Sequence, residues 1–194
     1  NYELYKTLPL ERVVEIDING GEPSISENYN DLLNNLPNTV KIIRINTNCA
    51  RPIKQLETLL ISGVTVIVTV SFDGIDRIHD YIRYPVKWKN FEPLLLEYKK
   101  LSVKYKNMKL DTWTTVSALN VAHLSEIQSY CADRNIRHQF AFLNEPDPLN
   151  VKYCNWLTKN VKLEGVAIDK DNTDIILNFL QTEESVRQGI ERFW

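Results

Sequence analysis

The chain has 194 residues, with 23 Lys+Arg, 25 Asp+Glu and a formal net charge of −2. Charge this close to balance excludes a strongly basic nucleic-acid binder and an acidic tail. No apolar run reaches the roughly eighteen residues of a membrane span, while a hydrophobic share of 43% is ample for a packed core. Cys49, Cys131 and Cys154 stand far apart, so they form neither a disulfide framework nor a zinc clip with C-x₂₋₄-C spacing. At about 150 residues per domain, the length predicts one domain with an appendage. The start, Asn1-Tyr2-Glu3-Leu4, has no initiator Met and no signal-like apolar stretch, which reads as processing or as a piece of a longer protein.

Arg12–Ile18 alternates: Val14, Ile16 and Ile18 face one way and Glu15 and Asp17 the other, as in a strand. Asn28–Leu36 carries Tyr29, Leu32, Leu33 and Leu36 at helical spacing, and Pro37 fits its stop. Val40–Asn46 is a second strand, with Ile43 and Ile45 opposite Arg44 and Asn46. Pro52–Ser62 predicts a helix. Pro52 suits a first turn, where its missing N–H costs nothing. Ile53, Leu56, Leu59 and Leu60 make the stripe, and Gly63 is the cap. Val64–Ser71 is dense in Val and Ile and reads as a buried strand. Phe72–Lys87 reads as a long loop. Trp88–Lys104 is a helix on Phe91, Leu94, Leu95, Tyr98 and Leu101, and Met108–Ser117 is a strand. Ala122–Asp133 is a helix on Leu124, Ile127 and Cys131, and Ile136–Leu143 is a strand. Beyond Asn144-Glu145-Pro146-Asp147-Pro148 the pattern loosens, with a short strand expected at Val151–Trp156 and a helix at Asp174–Phe193.

Strand–helix alternation of this kind predicts an α/β fold with a parallel sheet. Helices cover apolar strand faces. The opposite faces carry Glu15, Asp17, Arg44, Asn46, Thr65, Thr69, Ser71, Asp111, Trp113, Thr115 and Ser117. A doubly wound sheet is apolar on both sides, and a closed eight-stranded barrel fills its interior with branched apolar residues. Polar residues on one face of these strands therefore predict an incomplete barrel with a wet lumen.

Ligands of such sheets bind at the carboxyl ends of the strands. The segment there after the first strand is Asn19-Gly20-Gly21-Glu22-Pro23. Paired glycines let backbone approach a ligand, and the following carboxylate can accept hydrogen bonds from an ammonium. The same residues also suit an ordinary tight turn stiffened by Pro23. Ser71-Phe72-Asp73-Gly74 ends the most buried strand. Asp73 is either a ribose-binding carboxylate or part of an Asp-Gly turn. His79, His123 and His138 share no spacing with a Cys or Ser that suggests a triad, and His138 reads as a satisfied core or lumen group. No G-x-S-x-G, H-E-x-x-H, G-x-G-x-x-G or P-loop motif is present, so no catalytic residue and no metal ligand is assigned.

The order of these segments is informative. Gly20-Gly21-Glu22-Pro23, then Thr47-Asn48, then Ser71-Phe72-Asp73-Gly74, then His79-Asp80-x-x-Arg83 resembles the radical S-adenosylmethionine (radical SAM) superfamily, over roughly residues 11–143. Within it, the chain resembles most the branch with a SPASM or twitch extension. The resemblance implies a partial (β/α) barrel of which strands 2–6 and flanking helices are present. It implies a core over 1–147, lacking the first strand and cluster loop, and a C-terminal extension over 148–194 that starts a twitch-like region. It assigns Gly20, Gly21, Glu22 and Pro23 to the SAM ammonium, Thr47 and Asn48 to the next strand end, and Ser71 and Asp73 to the ribose. Arg83 is assigned to the SAM carboxylate, which a guanidinium fork suits. Ser117 and Asn120 are assigned to the same ligand, and Phe142 with Leu143 to the adenine. Cys49 stands where the family carries glycine.

The family's C-x₃-C-x₂-C loop, which holds a [4Fe–4S] cluster, has no counterpart among Cys49, Cys131 and Cys154. Truncation upstream of Asn1 accounts for this; the alternative is a cluster-less, non-catalytic SAM-fold binding module. For the intact protein the resemblance implies reductive cleavage of SAM to methionine and a 5′-deoxyadenosyl radical. That radical abstracts hydrogen from a polar substrate, a class that includes peptides. A flavodoxin or ferredoxin would donate the electron in the cytoplasm, with no nucleic-acid or membrane partner. An unrelated α/β sugar-phosphate or nucleotide enzyme predicts a late glycine-rich phosphate loop, and none is seen. Cys154 alone cannot hold an auxiliary cluster.

Overall fold

A computed structural model describes residues 9–145 and 149–151. Five strands, β1 (Glu15–Ile18), β2 (Ile42–Thr47), β3 (Thr65–Ser71), β4 (Met108–Val116) and β5 (Arg137–Phe142), form one parallel sheet in the order β1-β2-β3-β4-β5. Between them run helices α1 (Glu27–Asn34), α2 (Leu56–Ile61), α3 (Asp76–Ile82), α4 (Trp88–Lys104) and α5 (Leu124–Asp133).

Because the sheet order follows the chain order without reversal, and parallel crossovers are right-handed, every helix falls on one side of the sheet. That side is the core. Ile43, Ile45, Val66, Val68 and Val70 are fully buried there with Phe91 and Leu95 of α4 and Ile127 of α5. Each such side chain stabilises the fold by about 1.5–3 kcal/mol. The register sets the other face: Asp17 lies beside Arg44, Arg44 beside Ile67 and Ile67 beside Lys109. Two residues on, Asn46, Thr69 and Asp111 make the next row of the same face. Asp17, Arg44, Asn46, Lys109 and Trp113 are exposed on it. The expected partial barrel with a polar face is the observed architecture.

The boundaries differ in detail. The first strand starts at Glu15, because Leu10–Arg12 closes a 3₁₀ turn; Val14, assigned to the covered face, is 54% exposed. The helix expected from Pro52 begins only at Leu56. Trp88–Lys104 is as expected, with Pro93 on its exposed side removing one backbone bond without ending the helix. The largest correction is Phe72–Lys87, read as a loop, which contains α3. This helix is short, and its buried position is held by His79, which hides the apolar period of Ile75, Ile78 and Ile82.

The described residues fall into two compact units, one of 9–114 and 127–139 and one of 115–126, 140–145 and 149–151. In the second, Val116, Val121 and Val151 form a small cluster flanked by Leu124 and Phe142. The Leu143 amide donates to Val116 and the Ala118 amide to Leu149, both at 2.8 Å. Cys154, the helix expected at Asp174–Phe193 and all but Val151 of the strand expected at Val151–Trp156 lie outside the described residues.

Candidate functional site

In an all-parallel sheet the loops after consecutive strands open on one edge. The loop after β1 turns through Gly20 and Gly21 with φ of 84° and 64°. This left-handed pair is what only glycine adopts without strain. A Cβ on either would meet nothing within 4 Å, so the space over the turn is open. The Gly20 carbonyl accepts a hydrogen bond from Tyr29 at 3.1 Å.

Glu22 follows as the cap of a 3₁₀ turn, Pro23–Ile25, with proline at its first position. Its Oε1 accepts from the Ser24 amide at 3.0 Å, from the Ser24 hydroxyl and from Thr47 Oγ1 at 2.7 Å. Its Oε2 accepts from the Asn48 amide at 2.6 Å. The carboxylate thus ties the loop after β1 to the loop after β2, through charge-assisted bonds. A carboxylate oxygen offers about two acceptor positions, so Oε2 keeps room for a further donor such as an ammonium. Ser24 Oγ also accepts from the Arg51 amide at 3.1 Å, and Thr47 Oγ1 from the Cys49 amide at 3.0 Å. Asn48 Oδ1 accepts from the Ala50 amide at 3.0 Å.

Cys49 takes φ of 58°, the left-handed conformation that suits glycine. Its side chain is 1% exposed in the core, and burial, then the charge of Glu22, pushes the thiol up well above its usual range. The thiol is a packing group rather than a nucleophile.

The loop after β3 is fixed by Thr114, whose hydroxyl donates to the Phe72 carbonyl, and by the Phe72 amide donating to Trp113 at 2.8 Å. Asp73 is 4% exposed and pairs with Arg83, Oδ2 to Nη2, at 2.6 Å. Gly74 lets this loop lie on α3, since a Cβ there would stand 2.6 Å from Ile78 Cγ2 and 2.8 Å from the His79 amide. His79 is wholly buried against Phe91, ring centroids 4.2 Å apart, with neither ring nitrogen in hydrogen-bonding geometry. Burial and then the Arg83 cation push its pKa down to about 4; Asp80 and the nearby Gly74 backbone pull the other way without reversing it.

Gly20, Gly21, Glu22, Pro23, Thr47, Asn48, Ser71, Asp73 and Arg83 all belong to the first unit, and Ser117, Asn120 and Phe142 to the second. In the second unit Asn120 Oδ1 accepts from the Ser117 amide at 2.8 Å and its Nδ2 donates to the Thr115 carbonyl at 3.1 Å. Ser117 Oγ accepts from the Leu119 amide at 3.2 Å. Both side chains are buried and close the turn after β4, so Ser117, expected on the wet face, does not line it. Phe142 packs edge-on to Phe140 at 6.0 Å.

Ser24 was missed in the sequence. The signal was there: an acceptor, a proline and a hydroxyl in succession mark the start of a short helix. On the bare face Arg44 pairs with Glu15 and Arg137 with Asp111 at 3.5 Å. His138 meets Thr112 at 3.1 Å through Nδ1, and burial pushes its pKa down. Among the described residues no group of three His, Cys, Asp or Glu could hold a metal, and Cys49 and Cys131 are separate buried thiols. The described residues therefore do not fit an iron–sulfur cluster. No helix among them is long and apolar enough to cross a membrane.

No protein-family model and no curated protein matches the chain. Solved structures do. The crystal structure of Streptococcus suis SuiB aligns with a TM-score of 0.51 at 16% identity, over 89% of this chain and 37% of that one. SuiB bound to its precursor peptide SuiA aligns with a TM-score of 0.51 at 15% identity, over 90% of this chain and 36% of that one. SuiB bound to S-adenosylmethionine aligns with a TM-score of 0.49 at 18% identity, over 69% of this chain and 30% of that one. The chain thus spans little more than a third of the length of these proteins. At this identity the likeness shows the fold alone, a partial β/α barrel.

Proposed function

We propose that the chain is core sequence of a radical SAM enzyme, binding S-adenosylmethionine at the carboxyl ends of β1, β2 and β3. The Gly20-Gly21 turn carries this reading: two left-handed glycines under open space, beside a carboxylate anchored across two strand-end loops. Backbone carbonyls and a carboxylate with an open acceptor position are what an α-ammonium needs. Asp73 at the third strand end suits ribose hydroxyls. The reading extends to hydrogen abstraction from a polar substrate, with a peptide favoured by the precursor peptide bound to SuiB. The cluster thiolates for that chemistry would have to come from outside the described residues.

A second reading, a SAM-fold binding module without radical chemistry, draws on the absence of a cluster-forming set among the described residues. Iron and sulfide analysis of the full natural polypeptide after anaerobic reconstitution separates the two, since bound cluster sinks the second.

SAM binding itself is read by titration calorimetry, with adenosine as the control. Wild type is expected to bind SAM more tightly than adenosine. Gly21→Ala is expected to lose stability by about 1 kcal/mol, the strain of a left-handed alanine, and at least about tenfold in SAM affinity. Equal affinity of both proteins for SAM would show that the turn faces no ligand.

A further inference from the structure

We infer, on the SAM reading above, that Arg83 is a positioning residue that holds Asp73 toward the ribose, and does not grip the carboxylate of the ligand. Arg83 and Asp73 bracket one short element. Asp73 precedes α3, Arg83 ends it, and the Arg83 amide donates to the His79 carbonyl at 2.8 Å. Gly74 presses the start of the helix onto the β3 loop, so both side chains are set by the same rigid piece.

The guanidinium is already committed. Nη2 lies 2.6 Å from Asp73 Oδ2, with the Asp73 side chain 6% exposed and that of Arg83 24% exposed. Nε is buried, with no acceptor in bonding geometry. A bidentate grip needs two adjacent N–H groups on one edge of the guanidinium plane. One edge ends on the buried Nε, and the other shares the Nη2 already used on Asp73. Drawing Arg83 onto a ligand carboxylate would break a 2.6 Å ion pair whose carboxylate is almost wholly buried, which is strongly unfavourable. Asp73 held in this way is a preorganised acceptor, and a carboxylate at a strand end is the group that takes paired ribose hydroxyls. The neighbour His79 stays neutral beside this cation, so it adds no competing charge.

The test compares SAM with decarboxylated SAM on the full chain, by calorimetry or equilibrium dialysis. Arg83→Lys keeps a cation beside Asp73 but cannot reproduce the planar fork. It is expected to weaken both ligands alike, by about tenfold. Asp73→Asn is expected to do the same, and the double variant to be no weaker than either single one, because the two residues act as a unit. Loss confined to SAM, with decarboxylated SAM unchanged, would show that Arg83 grips the carboxylate; unchanged affinity for both ligands overturns the inference as well. Wild type supplies a check without substitution. Removing the ligand carboxylate is expected to cost less than about fivefold in affinity, and a larger loss overturns the inference. If wild type binds neither ligand, the SAM reading falls instead, so the two failures are distinguishable.

Discussion

Single residues at the site do more holding than their types suggest. The resemblance assigns Glu22 to a ligand; in the structure its carboxylate ties two loops together through Ser24, Thr47 and Asn48. Replacing it would therefore disturb the loops as well as any ligand. His79 has a different consequence, one of pH. Its folded pKa of about 4 lies below the ordinary imidazole value of 6.5. An unfolded chain takes up a proton below 6.5 that the folded chain refuses until about 4, so stability is full above that window and falls as pH drops through it. Urea unfolding at pH 5 is expected to show a loss of up to about 2 kcal/mol relative to pH 7 from this residue. The pH dependence of His79→Leu is expected to be shallower by that amount, and an identical slope would remove the histidine from the account.

Among the elements, α3 is decided by packing. Its one buried side chain is a histidine, and its start depends on Gly74 lying against the backbone of His79. Gly74→Ala brings a methyl group to within 2.6 Å of Ile78 Cγ2 and 2.8 Å of a main-chain nitrogen. The side chain can turn away, but the backbone cannot. The expected cost is about 1–3 kcal/mol, read as a lower urea midpoint, together with loss of the Asp73–Arg83 geometry. A midpoint equal to wild type would show that the loop shifts freely.

Across the sheet as a whole, one face carries the packing and the other is polar and uncovered among the described residues. Val68 is fully buried under the helices, whereas Lys109, near it on β4, is exposed on the bare face. Val68→Ala is expected to cost about 2 kcal/mol, and Lys109→Gln to stay within about 0.5 kcal/mol. Thermal and urea unfolding of the pair check this. A large loss from Lys109→Gln would mean that the polar face is structural.

Much of this was legible in the chain itself. Period two in β2 and β3 and the helical stripe of Trp88–Lys104 follow from local side-chain geometry, and alternation alone implies a parallel sheet. The glycine pair was legible because a double left-handed turn admits little else. The short helix α3 was not, since a buried histidine carries no apolar signal. Nor was the commitment of Arg83 to Asp73, because a charge's partner depends on which groups the fold strands together away from water. The left-handed backbone at Cys49 was signalled only by the resemblance, in which glycine stands at this position, and not by the residue type itself. The strands, their polar faces and the composition of the strand-end loops follow from residue patterns that are local in the chain. Which carboxylate holds a loop, which holds a guanidinium and which sheet face is uncovered among the described residues came from the folded structure, because those outcomes depend on burial and distance between segments far apart in the chain.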